Sequence, residues 1–186
     1  WVIEMLSREE ILDWLRESDP RRLEKLWYAA DDVRRRYVGD QVHLRGLVEW
    51  SNICRRQCGY CGLRAGNAQL TRYRMTADEV VECARQAERL GYGTAVIQAG
   101  EDEQLTLELV ADVVRRIKSA TALAVTLSLG ERTRRELAAW RAAGADRYLL
   151  RFETSNAELF ARIHPACGAA WLDSACDPSP LKGEGG

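Results

Sequence analysis

The amino-acid sequence predicts an α/β protein built on parallel strands, and three observations carry that expectation. Four short strand-like runs alternate with four amphipathic helical runs between residues 44 and 165. The second and third runs, TAVIQAG (94–100) and LAVTLSLG (123–130), are almost continuously apolar, as expected where both faces of a sheet are covered. Each run is followed by a helical stretch long enough to carry the chain back into a parallel neighbour with a right-handed crossover. A TIM-type barrel and an open doubly wound sheet both satisfy the pattern, and either puts the functional face at the C-terminal ends of the strands.

The elements follow in order. Residues 7–37 read as helix: Ser7 and Glu10 form a capping box, Ile11, Leu12 and Leu15 make an apolar stripe, and Asp19-Pro20 starts a second helix carrying Leu23, Leu26, Trp27, Ala30 and Val33. Gly39 ends it, so residues 1–40 are expected to be an N-terminal helical region. LRGLVEWSN (44–52) is the first strand and runs into a cysteine-rich loop. A helix then opens on the capping box Thr76–Glu79, buries Val80, Ala84 and Ala87, and stops at Gly91. After the second strand, Leu105, Leu109, Val113 and Ile117 recur at helical spacing; after the third, residues 131–144 read as a helix stopped by Gly144. DRYLLRFE (146–153) is the fourth strand, and a fourth helix follows with Ser155 and Glu158 as its capping box. Residues 41–165 therefore form one expected domain. Residues 166–186 are rich in small residues, Gly and Pro without a helical or strand period, and are expected to be an irregular tail, flexible or non-native. The chain opens on Trp1 rather than Met and no fifth strand arrives, which suggests a fragment.

Composition excludes some functions. A net charge of −1 with 30% charged residues gives no basic bias toward nucleic acid. The longest charge-free apolar stretch, SATALAVTLSLG, is too short to span a membrane, and WVIEMLSREE lacks the pattern of a secretion signal. A cytoplasmic protein is expected, whose cysteines are metal ligands rather than disulfides.

The chemistry concentrates in CRRQCGYC, which places Cys54, Cys58 and Cys61 within eight positions. The polar residues Ser51, Asn52, Gln98, Gly100, Glu101, Ser128, Glu131, Arg151 and Glu153 end the strands on the same face. Structural zinc would need a fourth ligand from Cys83, His43 or His164, and a fully ligated iron–sulfur cluster would need a fourth cysteine. The remaining reading is a cubane held at three irons, with the fourth open to a ligand.

C-x3-C-x2-C with an aromatic residue before its last cysteine resembles the radical SAM signature. EWSNICRRQCGYCGLRAGN, RYRMTADEVVECA, QAGED, VTLSLGE and GADRYLLRFET are together similar to the HydE-type maturases of FeFe-hydrogenase, and less so to methylornithine synthase and biotin synthase. The resemblance covers residues 5–165 and implies a partial TIM-type (β/α) barrel of about four βα units. It implies a 4Fe-4S cluster on Cys54, Cys58 and Cys61, with S-adenosylmethionine (SAM) at the open iron, cleaved reductively to a 5′-deoxyadenosyl radical. Tyr60 would pack near the adenine, and Gly100 and Glu101 would approach the methionine amino group. Ser128 and Glu153 would contact the nucleoside or methionine part, and Arg151 a carboxylate. The implied partners are a small-molecule or organometallic iron substrate and a low-potential electron donor such as ferredoxin or flavodoxin, with no nucleic acid or membrane.

Arg55, Arg56, Arg64, Arg72 and Arg74 crowd the loop; a solvated run is the ordinary expectation, and docking of an acidic donor or an anionic iron species the sharper one. The family's further SAM-binding arginine has no counterpart in CGAAWLDS (167–174), and the second half of a barrel is absent, so an inactive cluster-binding remnant is the non-enzymatic alternative.

Overall fold

The computed structural model describes residues 6–165. The chain folds as two compact units, with the boundary between Val42 and His43. In the first unit, α1 (Arg8–Arg16) starts on the Ser7–Glu10 capping box, and α2 (Pro20–Val38) starts on Asp19 with Pro20 in its first turn. Gly39 closes α2 at φ +81°, a conformation that favours glycine.

In the second unit the order is β1 (Gly46–Ser51), α3 (Ala77–Arg89), β2 (Thr94–Ala99), α4 (Leu107–Ala120), β3 (Ala124–Ser128), α5 (Arg134–Ala142), β4 (Arg147–Tyr148) and α6 (Ala157–Ile163). The sheet is parallel with the order β1-β2-β3-β4. This sequential order separates the two expected architectures: a doubly wound sheet reverses its strand order at a switch point, whereas a (β/α) barrel adds each strand beside the last. The arrangement is the barrel's.

The core lies between the sheet and α3–α5. Val80, Val81, Ala84 and Ala87 of α3, Val110, Val113, Val114 and Ile117 of α4, and Trp140 of α5 bury against Val48, Trp50, Ala95, Ile97, Val125 and Leu127. These apolar stripes explain why residues of ordinary helix propensity commit to helix here: a short helix is marginal without such packing.

Four expectations change. Leu105 is fully buried but precedes α4, whose N-cap is Thr106. The helix expected over 131–144 begins only at Arg134, because Thr133 and Glu136 make a capping box that fixes its first turn. The final helix is capped by Asn156, whose Oδ1 accepts the Leu159 N–H at 2.9 Å, and not by Ser155. The fourth strand is also shorter than 146–153. Leu149 donates one last backbone bond to Leu127, beyond which β3 offers no further partner, and Leu150 and Phe152 are exposed. Arg151 and Glu153 therefore sit in a loop beyond β4 rather than at a strand end.

The expected irregular character of 166–186 and the stretch CGAAWLDS lie outside the described residues. No described helix is long and apolar enough to cross a membrane.

Candidate functional site

β1 ends in Ser51, Asn52 follows it, both are buried, and their side chains set the course of the cysteine loop. Ser51 Oγ accepts the Ile53 N–H at 3.0 Å and donates to Asp102 Oδ2 at 2.7 Å. Asp102 is 2% exposed and also takes two bonds from the Arg74 guanidinium, each 2.7 Å. Burial pushes its carboxyl up, but the bonds from Arg74, Ser51 and the Gln104 N–H outweigh this and hold it below the ordinary aspartate value.

The turn after β2 approaches this loop at van der Waals limits. A Cβ on Gly100 would stand 2.3 Å from the Ile53 carbonyl oxygen and 2.7 Å from Cys54 Cβ, so only glycine fits. Close approach lets the Glu101 N–H, with that of Arg56, point at Cys54 Sγ, each at 3.4 Å. Backbone donors aimed at a cysteine sulfur are among the contacts by which proteins tune iron–sulfur centres.

The same loop is anchored at its far side. The Gly59 N–H donates to the Ile163 carbonyl at 2.8 Å. His164 is 7% exposed, and its Nδ1 lies 2.9 Å from the Phe160 carbonyl, which makes Nδ1 the protonated nitrogen. Nε2 is then free to accept the Tyr60 hydroxyl at 3.1 Å. Both ring nitrogens are thus engaged, so this geometry does not offer His164 as the fourth metal ligand. Tyr60, expected to pack near an adenine, stands edge-on to that imidazole at 5.6 Å.

Around the rest of the rim, Glu101 Oε1 accepts the Glu131 N–H at 2.7 Å and fills the space above Gly130, whose φ is +82°. Arg56 Nη2 stands 3.1 Å from Glu131 Oε2 and 3.6 Å from Glu101 Oε1. Burial raises the Glu131 carboxyl above its ordinary value, with Arg56 opposing the shift. As a residue of the helix expected over 131–144, Glu131 would cap it through the macrodipole. The helix starts beyond it, and Glu131 pairs with Arg56 instead.

One cavity of about 170 Å³ collects every residue expected to hold the cluster or SAM. Cys54, Cys58, Cys61 and Tyr60 line one side, Gly100 and Glu101 another, and Ser128, Arg151 and Glu153 the remainder. A larger groove of about 620 Å³ runs over the outer surface between α3 and α4, where it contains no cysteine. Arg56, Gly130, Glu131 and His164 also line the inner cavity, and Leu63, Leu149, Leu150 and Phe160 give it an apolar part. Glu153 is the one non-glycine with positive φ among the described residues, at +59°.

Most of the arginine run is not simply solvated. Arg56 and Arg74 bind carboxylates within the loops, Arg64 donates to the Cys61 carbonyl, and Arg72 binds three carbonyls. Only Arg55 pairs at the surface, with Glu103. The buried carboxylate Asp102 does not stand out in QAGED by residue type.

Three thiols on one wall of the cavity are the donor chemistry that an iron–sulfur cluster takes. No three His, Cys, Asp or Glu side chains converge on one ion position among the described residues. In a cubane each thiolate binds a separate iron, so its ligands surround a body rather than a point. None of the three loop cysteines is in a disulfide, and all three are half-buried.

Comparison with known proteins places this geometry. Residues 48–175 match the Radical SAM superfamily model. The chain is 48% identical over 159 residues to the [FeFe] hydrogenase maturase subunit HydE of Thermotoga maritima, covering 86% of this chain and 45% of that protein. It is 28% identical to the 3-methylornithine synthase of Methanosarcina acetivorans over 160 residues, 85% of this chain and 45% of that one. The crystal structure of methylornithine synthase (PylB) superimposes with a TM-score of 0.77 at 26% identity, covering 86% of this chain and 48% of that one. The chain spans about half the length of the curated relatives it matches. With a family match over most of its sheet and its cysteine loop, the chain belongs to the radical SAM superfamily of enzymes.

Proposed function

We propose that this chain binds a 4Fe-4S cluster on Cys54, Cys58 and Cys61 and SAM beside it, in the maturation of FeFe-hydrogenase. The observation that carries the reading is the gathering of the three cysteines and of Gly100, Glu101, Ser128, Arg151 and Glu153 around one cavity at the C-terminal ends of parallel strands. The cluster and SAM together supply reductive cleavage of a sulfonium to a 5′-deoxyadenosyl radical.

The chain's own residues bind and orient. Gly100 lets the turn after β2 come close enough for the Glu101 N–H to reach Cys54 Sγ. Glu101 is fixed by the Glu131 N–H and by Arg56, which holds its carboxylate at the rim. Arg151 has no ion pair among the described residues and offers its guanidinium to a carboxylate, as the methionine end of SAM carries. Ser128, 7% exposed at the end of β3, offers a hydroxyl to the nucleoside or methionine part.

The 48% identity to HydE, against 28% to methylornithine synthase, favours an organometallic iron or other small-molecule substrate of hydrogenase maturation over carbon-skeleton rearrangement. A low-potential ferredoxin or flavodoxin would supply the electron. The test is SAM turnover: reconstituted, dithionite-reduced protein releases 5′-deoxyadenosine and methionine, and a Cys58→Ala chain releases none. Equal release from both would overturn the reading.

A further inference from the structure

We propose that Arg72 is a positioning residue for the metal-binding loop, a clasp that holds its two ends together in the shape that presents the cysteines. The inference rests on the reading of Cys54, Cys58 and Cys61 as cluster ligands.

The geometry is specific. Arg72 Nη1 donates to the Asn52 carbonyl at 2.6 Å and to the Leu63 carbonyl at 2.8 Å, and Nη2 donates to the Arg64 carbonyl at 2.8 Å. Asn52 precedes the first cysteine by two positions, and Leu63 follows the last by two. Three carbonyl dipoles therefore converge on one cation from opposite ends of the loop, an arrangement that would be repulsive without it. Five donors in a planar fork can serve three acceptors at once; a point charge cannot reach them all in this geometry.

Arg72 is itself held firmly. Asn52 Nδ2 donates to the Thr71 carbonyl at 2.8 Å, and Asn52 Oδ1 accepts the Tyr73 N–H at 2.8 Å. The segment carrying the clasp is thus fastened to the end of β1, which is fixed by the sheet. The far end is weaker without Arg72. Its own ties are local bonds such as Ala65 N–H to the Arg56 carbonyl at 2.7 Å and Gly66 N–H to Gln57 Oε1 at 2.9 Å, which join loop to loop but not loop to sheet. The side chain takes no part in the hydrophobic core, so its removal should loosen the loop and leave the domain folded.

The test is cysteine reactivity in the metal-free chain, read peptide by peptide by mass spectrometry, beside amide exchange in α3–α5. Arg72→Ala is expected to raise alkylation of Cys54, Cys58 and Cys61 by at least about tenfold, with exchange in α3–α5 unchanged. Arg72→Lys is expected to be intermediate and uneven. One ammonium can replace Nη1 between Asn52 and Leu63 but supplies no second nitrogen for Arg64, so Cys61 gains more reactivity than Cys54. Arg55→Ala, which removes an equal charge from the same loop, should leave all three rates unchanged. After reconstitution, the Arg72→Ala cluster should show a shifted midpoint potential and altered EPR g-values. If the wild-type chain takes up no cubane while Arg72→Ala still speeds alkylation, the clasp stands and the cluster reading falls. Wild-type alkylation rates in a folded Arg72→Ala chain would overturn the clasp. Should Arg72→Ala lose protection throughout α3–α5, equal reactivity of Cys54 and Cys61 in Arg72→Lys would overturn it.

Discussion

Arg56 Nη2 stands 3.1 Å from Glu131 Oε2, and that ion pair ties the cysteine loop to the loop after β3. Arg56 is 12% exposed at its side chain, as is Glu101, which it also approaches. Without the guanidinium, two carboxylates would face each other across a half-buried rim. Arg56→Ala is expected to destabilise the chain by about 2 kcal/mol, between the values typical of exposed and of buried pairs. Urea denaturation at neutral pH measures it, and Arg56→Lys should recover part of the loss.

Gly100→Ala should empty the site with a smaller effect on the fold. The added methyl would meet the Ile53 carbonyl at 2.3 Å, and backbone cannot rotate away, so the cysteine loop must move. Iron uptake on reconstitution is expected to fall several-fold relative to wild type. Gly91→Ala provides the contrast: its φ is +82° but the space beyond is open, so it should cost about 1 kcal/mol of stability and leave iron uptake intact.

The depressed Asp102 carboxyl makes a prediction about acid. A group whose folded value lies below its unfolded one contributes stability that is fully present above the unfolded value, near pH 4, and is lost as pH falls through the folded value. Asp102→Asn keeps the side-chain shape but leaves Arg74 without its counter-ion. It should lower stability by about 3 kcal/mol at pH 7 and show a shallower further loss than wild type between about pH 4 and pH 2. Chemical denaturation across that range checks both the offset and the slope.

Glu153 is held at φ +59°, where a side chain is unfavourable. Glu153→Gly should relieve this and stabilise the chain by about 1 kcal/mol. The same change removes a carboxylate from the cavity, so SAM affinity should fall. A rise in melting temperature together with a weaker binding isotherm is the expected pair of results.

Capping boxes at Ser7 and Thr76, and apolar stripes through α3 and α4, are legible in the sequence because local hydrogen bonding and burial agree there. The choice of barrel over doubly wound order is not legible from the run pattern alone, since strand order is a matter of long-range pairing; family resemblance supplies it. The end of β4 is overextended in the sequence reading because LLRF has strand-like composition, whereas the backbone of residues 150–153 has no neighbour to pair with in β3. Within the site, the three cysteines and the rim residues Gly100, Ser128 and Glu153 stand out by residue type and spacing. The roles of Arg56, Arg72 and Asp102 do not, because an arginine that binds carbonyls or a buried carboxylate looks in sequence like one that meets water.

On the proposed reading, Cys54, Cys58 and Cys61 hold a cubane whose fourth iron is open to SAM. Anaerobic reconstitution followed by metal analysis and EPR of the reduced protein, before and after SAM, tests it most directly. The expected result is about four irons and four sulfides per chain and a reduced-cluster spectrum that changes when SAM is added. Stoichiometric zinc with no cubane signal would contradict it, and so would a cubane whose spectrum is indifferent to SAM.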